Sequence, residues 1–361
     1  MTDTAAVRAA IEKAIDPLLG RPIGDLGYVG EVKAKLTGGI SVELRVPVPG
    51  DERDTLVAVV SEAAQQVDGV KSIRVDAELM TDEERTELMD RLRGSRRQVG
   101  GPGSTTRILA VASGKGGVGK SSVTANLAVA LAGKGHTVGV IDADVWGFSI
   151  PKMLGAAGAP AVVAENIIPL IAHGVKVMSM DYFVPSDQAV IWRGPMLHKA
   201  LEQFLNDVFW DEPDFLLIDM PPGTGDVAIS ISQFLPRAEM LLVTTPQLTA
   251  QRVARRAALM AEKVNQTVMG VVENMSWFTG DDGKRYLIFG EGGGSSLADE
   301  LGVDLMAQVP LVPAMREGAD GGVPVILAAP GSDAERAFGQ LADAVIAKRP
   351  KLRSHPELVI N

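Results

Sequence analysis

The chain of 361 residues contains no cysteine. Disulfide bonds and metal sites built from the chain's own thiolates are therefore excluded. Aromatic residues make up only 4% of the chain, and no apolar run reaches the roughly 18 residues that a membrane-spanning helix needs. The first residues also lack the basic stretch and apolar core of a secretory signal peptide. We expect a cytoplasmic protein with no membrane partner.

Positive charge is also scarce. The chain has 45 acidic and 35 basic residues, which gives a net charge of −10 and a pI near 5.0. Because this excess repels the phosphate backbone, we expect no nucleic-acid partner. The dense basic run at 91–97 is interpreted as a solvated linker segment. A hydrophobic content of 46% is typical of a globular protein that buries a sizeable core.

The length predicts about two domains. The first, 1–93, has the pattern of a small α+β domain, with helices at 7–15 and 54–67, a hairpin at 29–36 and 40–46, and a strand at 70–75. A linker rich in Gly, Ser and Arg follows at 94–106. The second domain is predicted at 107–350 and a tail at 351–361.

In the second domain, short apolar runs without alternation are separated by helical stretches. The predicted strands are 108–112, 138–141, 215–218, 240–243 and 268–272, and the helices include 121–133, 195–209 and 249–264. Strands of this kind are typical of parallel sheets covered on both faces. The pattern predicts an α/β fold with a doubly wound, mainly parallel sheet.

A phosphate-binding loop lies directly between the first of these strands and the helix after it. The residues Gly114, Lys115, Gly116, Gly117, Val118, Gly119, Lys120 and Ser121 satisfy the P-loop pattern G-x-x-x-x-G-K-[ST]. Glycines allow backbone N–H groups to surround a phosphate, and the helix N-terminus favours the negative charge. Lys120 is expected to reach the β- and γ-phosphates and Ser121 to ligate Mg²⁺. The loop therefore predicts Mg-ATP binding.

A second interpretation of the same loop is a dinucleotide-binding turn, since Gly114, Gly116 and Gly119 also fit G-x-G-x-x-G. Asp142 lies about where a ribose-binding carboxylate would fall. Against an NAD-binding oxidoreductase, that turn has no use for Lys120 with Ser121 behind it. Moreover, the strand 215–218 ends in Asp219, as a Walker B strand must to hold Mg²⁺.

Two more acids follow the second strand of the domain. One of Asp142 and Asp144 is expected to support the Mg²⁺ shell, and the other to orient the attacking water. The alternative role is a loop acid that caps a helix. The Gly- and Pro-rich segment 220–226 is expected at the carboxyl edge of the sheet and is interpreted as a switch that senses hydrolysis.

Lys115 in the loop is the mark of the deviant Walker A group, which includes MinD, ParA, the nitrogenase iron protein and the Mrp proteins. This resemblance implies a homodimer in which Lys115 reaches the partner subunit's nucleotide. The alternative for Lys115 is an ordinary solvent-exposed loop lysine.

Within that group the chain resembles the Mrp/ApbC-type iron–sulfur cluster carrier ATPases over nearly its whole length. The similar segments are 142–151, 191–196, 218–226, 273–276, 289–294 and 309–320. Segments 25–29 and 69–75 resemble the small domain that iron–sulfur assembly factors share.

The resemblance implies a role for individual residues. Ser122 would lie near the α-phosphate, Asp144 would position water, and Asn274 would read the adenine edge unless it is only a turn residue. Ser121, Asp142 and Asp219 are the expected metal residues. Lys115, Lys120 and Asp144 are the expected catalytic residues.

One departure from the family concerns its cargo. A Cys-x-x-Cys pair commonly follows the segment that resembles 273–276, but here 277–286 has no thiol. Asp51 stands where the small domain usually has a reactive cysteine. Asp281 and Asp282 suit hard cations and are poor ligands for iron–sulfur clusters. The four histidines are scattered along the chain and are interpreted as structural.

The leading hypothesis is a Mg-dependent dimeric ATPase in iron–sulfur cluster assembly, with an apo-protein or assembly factor as partner and with any cluster held on a partner's thiols. The alternative is a positioning ATPase similar to ParA or MinD that binds a surface or partner when ATP is bound. Against it, two prolines in 348–358 prevent the long amphipathic helix of a membrane-targeting tail.

Overall fold

The computed structural model describes residues 3–35, 38–94, 97–144, 147–184, 194–223 and 226–348. The predicted tail at 351–361 lies outside these residues, as do 191–193 of the segment 191–196. The chain forms two compact units. The first comprises 1–97, 158–171 and 205–211, and the second comprises 98–157, 172–204 and 212–361.

In chain order, the helices are α1 Thr4–Lys13, α2 Ile23–Leu26, α3 Asp51–Gln65, α4 Asp82–Arg93, α5 Lys120–Gly133, α6 Ile150–Leu154, α7 Gly194–Asn206, α8 Asp226–Phe234, α9 Leu248–Lys263, α10 Gly293–Leu301, α11 Pro313–Gly321, α12 Val325–Ala328 and α13 Asp333–Ala347. The strands are β1 Val29–Ala34, β2 Gly39–Val46, β3 Ser72–Leu79, β4 Arg107–Ser113, β5 Val138–Asp142, β6 Ala161–Val163, β7 Asn166–Ile168, β8 Leu170–Ala172, β9 Val175–Ser179, β10 Phe215–Asp219, β11 Glu239–Thr244, β12 Thr267–Asn274, β13 Phe278–Thr279, β14 Arg285–Tyr286 and β15 Asp304–Val309.

The first unit is built on a three-stranded sheet in the order β1-β2-β3. β1 and β2 are antiparallel, and α3 crosses over to make β3 parallel to β2. Its core includes the fully buried Tyr28 and Ile11, and Val163, Ile168 and Phe209 from later in the chain pack on the same core. A capping box between Thr81 and Glu84 begins α4. The predicted small α+β fold is confirmed.

A partly buried ion pair fixes one of the later segments within this first unit. The Arg21 guanidinium donates from Nε and Nη2 to the two carboxylate oxygens of Asp211, at 2.7 and 2.8 Å. Two parallel hydrogen bonds of this kind set the orientation of both groups. The N-terminal core therefore incorporates 158–171 and 205–211, which come from the middle of the chain.

The second unit is built on an eight-stranded sheet in the order β15-β12-β11-β4-β10-β5-β9-β8. The six pairings from β15 to β9 are all parallel. β4, β10, β11 and β12 are almost wholly buried, as expected for strands covered by helices on both faces. The predicted doubly wound, mainly parallel sheet is confirmed.

This topology determines where a site can form. β4 lies between β10 and β11, so their carboxyl ends and the loops after them meet at one edge of the sheet. In open α/β sheets ligands bind at that edge. No helix within the described residues is both long and apolar enough to cross a bilayer.

Candidate functional site

The glycine-rich loop connects the end of β4 to the start of α5. Gly117 and Gly119 have φ angles of +78° and +79°, a region that side chains other than glycine rarely adopt. Gly119 is the N-cap of α5, and no side chain caps this helix there. Among the described residues, the first N–H groups of this 14-residue helix therefore have no side-chain cap, which is the arrangement that binds anions.

A cavity of about 240 Å³ opens against this loop. It is lined by Ser113, Lys115, Gly116, Gly117, Val118, Gly119, Lys120, Ser121, Ser122, Asp144, Gly147, Met153 and Pro222. A Cβ atom added to Gly116 or Gly117 would meet nothing within 4 Å, so open space lies directly against the backbone. A phosphate needs such an approach to backbone N–H groups.

The carboxylate of Asp219, at the end of β10, accepts hydrogen bonds from three side chains beneath the cavity. Lys120 Nζ and Ser121 Oγ donate to its Oδ2 at 2.7 and 2.6 Å, and Thr124 Oγ1 donates to its Oδ1 at 2.7 Å. Asp219 and Thr124 are fully buried and Lys120 is 6% exposed. A carboxylate and a hydroxyl side by side are hard oxygen donors of the kind that suits Mg²⁺.

The structure separates the two acids of the 142–144 segment. Asp144 lines the cavity, and its carboxylate lies 3.8 Å from Lys120 Nζ. Asp142 is fully buried, and its oxygens accept hydrogen bonds from the backbone N–H groups of Asp144, Ser149 and Ile150. Asp142 thus anchors the loop and the start of α6. Its role as a Mg²⁺ residue stays a prediction.

Burial and, secondly, the negative charge of Asp219 raise the pKa of Asp142 to about 7. Between its ordinary pKa of 3.8 and about 7 the folded protein keeps a proton that the unfolded chain releases. Stability of the nucleotide-free protein should therefore fall as pH rises from 5 to 7, by up to about 1.4 kcal/mol per pH unit. Thermal unfolding at several pH values should show a flatter profile for Asp142→Asn.

The relevant transition in that experiment is the one that Mg-ADP shifts, because the chain has two compact units. Asp343→Asn is the control, since the side chain of Asp343 is 67% exposed and pairs with Lys134 at the surface. Equal slopes for the wild type and Asp142→Asn would contradict the prediction.

Asn274 connects the end of β12 to the loop. Its Nδ2 donates to the Val118 carbonyl at 2.9 Å, and its Oδ1 is buried with no hydrogen-bond partner among the described residues. A buried acceptor without a partner is costly, which fits a site where a ligand completes the bond. The exocyclic amino group of adenine is a donor of the required kind.

Lys115 is the other cation that lines the cavity. Its Nζ donates to Gln247 Oε1 at 3.1 Å, just before α9 begins. Within the single chain, the side chain of Lys115 therefore contacts a residue of its own subunit. Its predicted reach to a partner subunit's nucleotide stays a prediction.

Gly114 determines how closely the loop packs on α9. A Cβ atom there would lie 2.2 Å from the backbone carbon of Val253 and 2.3 Å from the nitrogen of Ala254. Gly114→Ala should therefore shift the loop and destabilise the protein by about 1–3 kcal/mol. Thermal unfolding checks this, with Gly339→Ala as control.

Gly339 lies within α13, and a Cβ atom there meets nothing within 4 Å. That substitution should leave stability unchanged or raise it by roughly 0.5–1 kcal/mol, because alanine favours helix. A Gly114→Ala protein as stable as the wild type would show that the loop adapts without cost.

The segment that lacks the cysteine pair folds as a small hairpin of β13 and β14. Asp282 accepts hydrogen bonds from the Lys284 N–H and the Tyr286 hydroxyl, and these hydrogen bonds lower its pKa. The Arg285 guanidinium lies 4.3 Å from the centre of the Trp277 ring. No group of three potential metal-binding side chains occurs in the described part of the chain.

The switch segment is described as far as Gly223, whose N–H donates to the Ser113 carbonyl at 3.0 Å. Pro222 lines the cavity, whereas residues 224–225 lie outside the described residues. The sequence analysis did not identify Thr124 or Gln247. For Thr124 the usable signal was a hydroxyl four residues after Lys120, on the same face of a helix.

The comparisons with known proteins agree with this geometry. A family model described as NUBPL iron-transfer P-loop NTPase matches residues 104–346, and an iron–sulfur cluster assembly protein model matches 4–76. The iron–sulfur cluster carrier protein of Mycobacterium tuberculosis is 47% identical over 356 residues, which cover 96% of this chain and 93% of the relative.

Two solved structures share the fold of the second unit. A nucleotide-binding protein in complex with ADP from Archaeoglobus fulgidus is 34% identical with a TM-score of 0.55, covering 72% of this chain and 97% of that one. MinD with Mg-ADP from Pyrococcus horikoshii is 26% identical with a TM-score of 0.52, covering 66% and 96%.

These findings confirm the resemblance predicted from the sequence and leave the dinucleotide-binding alternative without support. The chain belongs to the iron–sulfur cluster carrier family of P-loop NTPases.

Proposed function

We propose that the chain binds Mg-ATP in the cavity at the glycine-rich loop and hydrolyses it, as a homodimer that acts in iron–sulfur cluster assembly. The observation that carries this proposal is the buried group beneath the loop. Lys120 and Ser121 converge on Asp219 within 2.7 Å, next to open space of about 240 Å³. Phosphoryl transfer uses these three groups, the lysine ammonium for the phosphates and the hydroxyl and carboxylate for Mg²⁺.

Each part of the nucleotide has a candidate partner. The N–H groups of the loop and of the first turn of α5 would hold the β-phosphate, and Lys120 would turn from Asp219 to the γ-phosphate. Ser122, which lines the cavity, would lie near the α-phosphate. The buried Oδ1 of Asn274 would accept from the adenine amino group.

The residues also fit Mg²⁺. Ser121 Oγ and Asp219 Oδ2 already lie 2.6 Å apart, so both would face the ion at the β- and γ-phosphates. When bound, the ion neutralises charge that develops on the phosphate oxygens. Asp144 would orient the attacking water, because its carboxylate lies in the cavity wall. Asp142 would act behind it as a support of the metal shell.

Dimerisation is proposed from Lys115. In its hydrogen bond of 3.1 Å to Gln247, the Lys115 ammonium has a neutral acceptor, which a phosphate of a second nucleotide would replace with a charged one. In the dimer Lys115 of each subunit would contact the nucleotide of the partner subunit.

The role in cluster assembly rests on the relatives, which are iron–sulfur cluster carrier proteins. Since this chain has no cysteine, we propose that the thiols of an assembly factor or apo-protein partner hold the cluster. The domain at 1–93, joined through 94–106 to the ATPase domain at 107–350, would provide part of the partner surface, because the assembly-protein model matches 4–76.

The test has a biochemical and a cellular arm. Purified protein is incubated anaerobically with iron and sulfide, then passed through gel filtration and analysed for metal and visible absorbance. We expect ADP binding that Mg²⁺ strengthens and no stoichiometric cluster. In cells whose own gene is replaced, Lys120→Ala should lower the activity of iron–sulfur enzymes such as aconitase as far as deletion does.

Two outcomes would contradict the proposal. A stable, stoichiometric cluster on the chain alone would show that partner thiols are not needed. Normal iron–sulfur enzyme activity in Lys120→Ala cells would remove the role in assembly, and ATP-dependent pelleting with anionic vesicles would then support a positioning ATPase instead.

A further inference from the structure

The two oxygens of Asp219 have different partners. Oδ2 accepts from Lys120 Nζ and Ser121 Oγ, whereas Oδ1 accepts from Thr124 Oγ1 at 2.7 Å. A carboxylate turns easily about its last torsion, since that torsion has no sharp staggered minima. Whatever holds one oxygen therefore decides where the other points.

Thr124 differs from the other two donors in its position. Lys120 and Ser121 line the cavity, but Thr124 does not and is fully buried. It lies on α5, where its hydroxyl is also 3.0 Å from the Lys120 carbonyl. The single hydroxyl proton goes to the shorter, charged acceptor, because hydrogen bonds to ionised groups are the stronger ones.

We propose that Thr124 is a positioning residue for metal binding, which holds Asp219 Oδ1 so that Oδ2 stays directed at Ser121 and the cavity. The inference rests on the proposed Mg-ATP site. Nucleotide binding draws Lys120 and Ser121 toward phosphate and metal. Thr124 cannot follow them, so its hydrogen bond is the one that persists. Without it Asp219 would lose its only donor on the side away from the cavity among the described residues.

The test compares Thr124→Val with Thr124→Ser. Valine keeps the shape and removes the hydroxyl, whereas serine keeps the hydroxyl and removes the methyl group. Calorimetry measures ADP affinity in EDTA and, separately, Mg²⁺ affinity of the ADP complex. We expect Thr124→Val to weaken Mg²⁺ binding about tenfold with ADP affinity in EDTA within about twofold of wild type, since one hydrogen bond to a charged group is lost. Thr124→Ser should stay within about threefold of the wild type in both.

Thr245→Val is the matched control. Thr245 is a buried threonine of the same unit, 4% exposed, whose hydroxyl has no hydrogen-bond partner among the described residues. Removing that hydroxyl should leave Mg²⁺ affinity unchanged. The control separates loss of the Asp219 contact from a general effect of a valine in the core.

Each outcome of the Mg²⁺ and ADP measurements supports or overturns the role of Thr124. Wild-type Mg²⁺ affinity in Thr124→Val, or equal losses in Thr124→Val and Thr124→Ser, would overturn the inference while leaving the nucleotide site intact. If Thr124→Val does not fold, Thr124→Ala replaces it, and failure of both to fold would assign the hydroxyl to the fold rather than to the metal. Wild-type protein that binds no ADP with Mg²⁺ would instead overturn the proposed function itself.

Discussion

Lys120→Ala is expected to lower ADP and ATP affinity by at least about a hundredfold and to bring hydrolysis to the background rate. The ammonium group lies 2.7 Å from Asp219 and 3.8 Å from Asp144, so it offsets the charge of both carboxylates. Without it the charges of Asp144 and Asp219 are no longer offset beside the phosphate site, which disfavours polyphosphate binding. Removing one preorganised donor from such a site typically costs about 10²–10³ in rate.

The same substitution should also destabilise the nucleotide-free protein. Asp219 is fully buried, and taking the cation from a buried pair typically costs about 3–5 kcal/mol. The hydrogen bonds from Ser121 and Thr124 should reduce that loss. Calorimetry with ADP, single-turnover hydrolysis and thermal unfolding measure the three effects.

Lys134→Ala is the matched control for Lys120→Ala. Lys134 directly follows α5 and forms an ion pair of 2.7 Å with Asp343, whose side chain is 67% exposed. Surface pairs of this kind contribute about 0–1 kcal/mol. The control should bind and hydrolyse ATP as the wild type does. ADP affinity within threefold of the wild type in Lys120→Ala would show that phosphate does not bind beside this lysine.

Much of the P-loop NTPase fold could be predicted because its strands are locally distinctive. The predicted runs 108–112 and 215–218 fall within β4 and β10, and buried parallel strands need an uninterrupted apolar sequence. β9 and β15 were not predicted. Their sequences, VKVMS and DLMAQV, mix polar and apolar residues, and only pairing with β5 and β12 makes them strands.

The N-terminal unit shows a second limit of sequence reasoning. Helices α1 and α3 and the hairpin follow from local periodicity, whereas α2 and α4 were not predicted. Nor does the sequence indicate that 158–171 and 205–211 belong to the same compact unit. That assignment depends on contacts between residues far apart in the chain. Arg21 and Asp211 are 190 positions apart, and neither lies in a recognisable motif.

For the site, residue types were easier to predict than their partners. The loop motif indicates Lys120 and Ser121, and the end of a strand indicates Asp219. Which oxygen accepts from which donor depends on the packing of α5 against β10, so Thr124 was not identified. The division between Asp142, which anchors α6, and Asp144, which faces the cavity, likewise depends on backbone hydrogen bonds that the sequence does not display.

The hairpin at 278–286 bears on the missing cysteines. Asp282 holds the turn through Lys284 and Tyr286, and Arg285 stacks on Trp277. Such contacts stabilise a short hairpin that backbone hydrogen bonds alone would leave marginal. The hairpin is therefore ordered by its own side chains and has no need of a bound cluster. This fits the proposed function, in which the cluster is held by a partner's thiols.

Asp144→Asn is expected to separate binding from hydrolysis, lowering the single-turnover rate by about 10²–10⁴ with little loss of ATP affinity. Asparagine keeps the size of the side chain but is neither a base nor a charged acceptor for a water molecule. Removal of one negative charge beside Lys120 should, if anything, tighten ATP binding. Rapid-quench hydrolysis and calorimetry with a non-hydrolysable ATP analogue measure the two effects.

Asp181→Asn is the control for this separation. Asp181 lies in the 3₁₀ turn that follows β9 and is exposed outside the cavity, so its loss should change neither quantity. If Asp144→Asn hydrolyses ATP within threefold of the wild type, Asp144 does not position the water. Among the described acids near Lys120, that would leave Asp142, whose oxygens already accept three backbone hydrogen bonds, and Asp219, whose oxygens face Ser121 and Thr124. Both are fully buried and neither lines the cavity, so such a result would place the base outside this subunit's described residues.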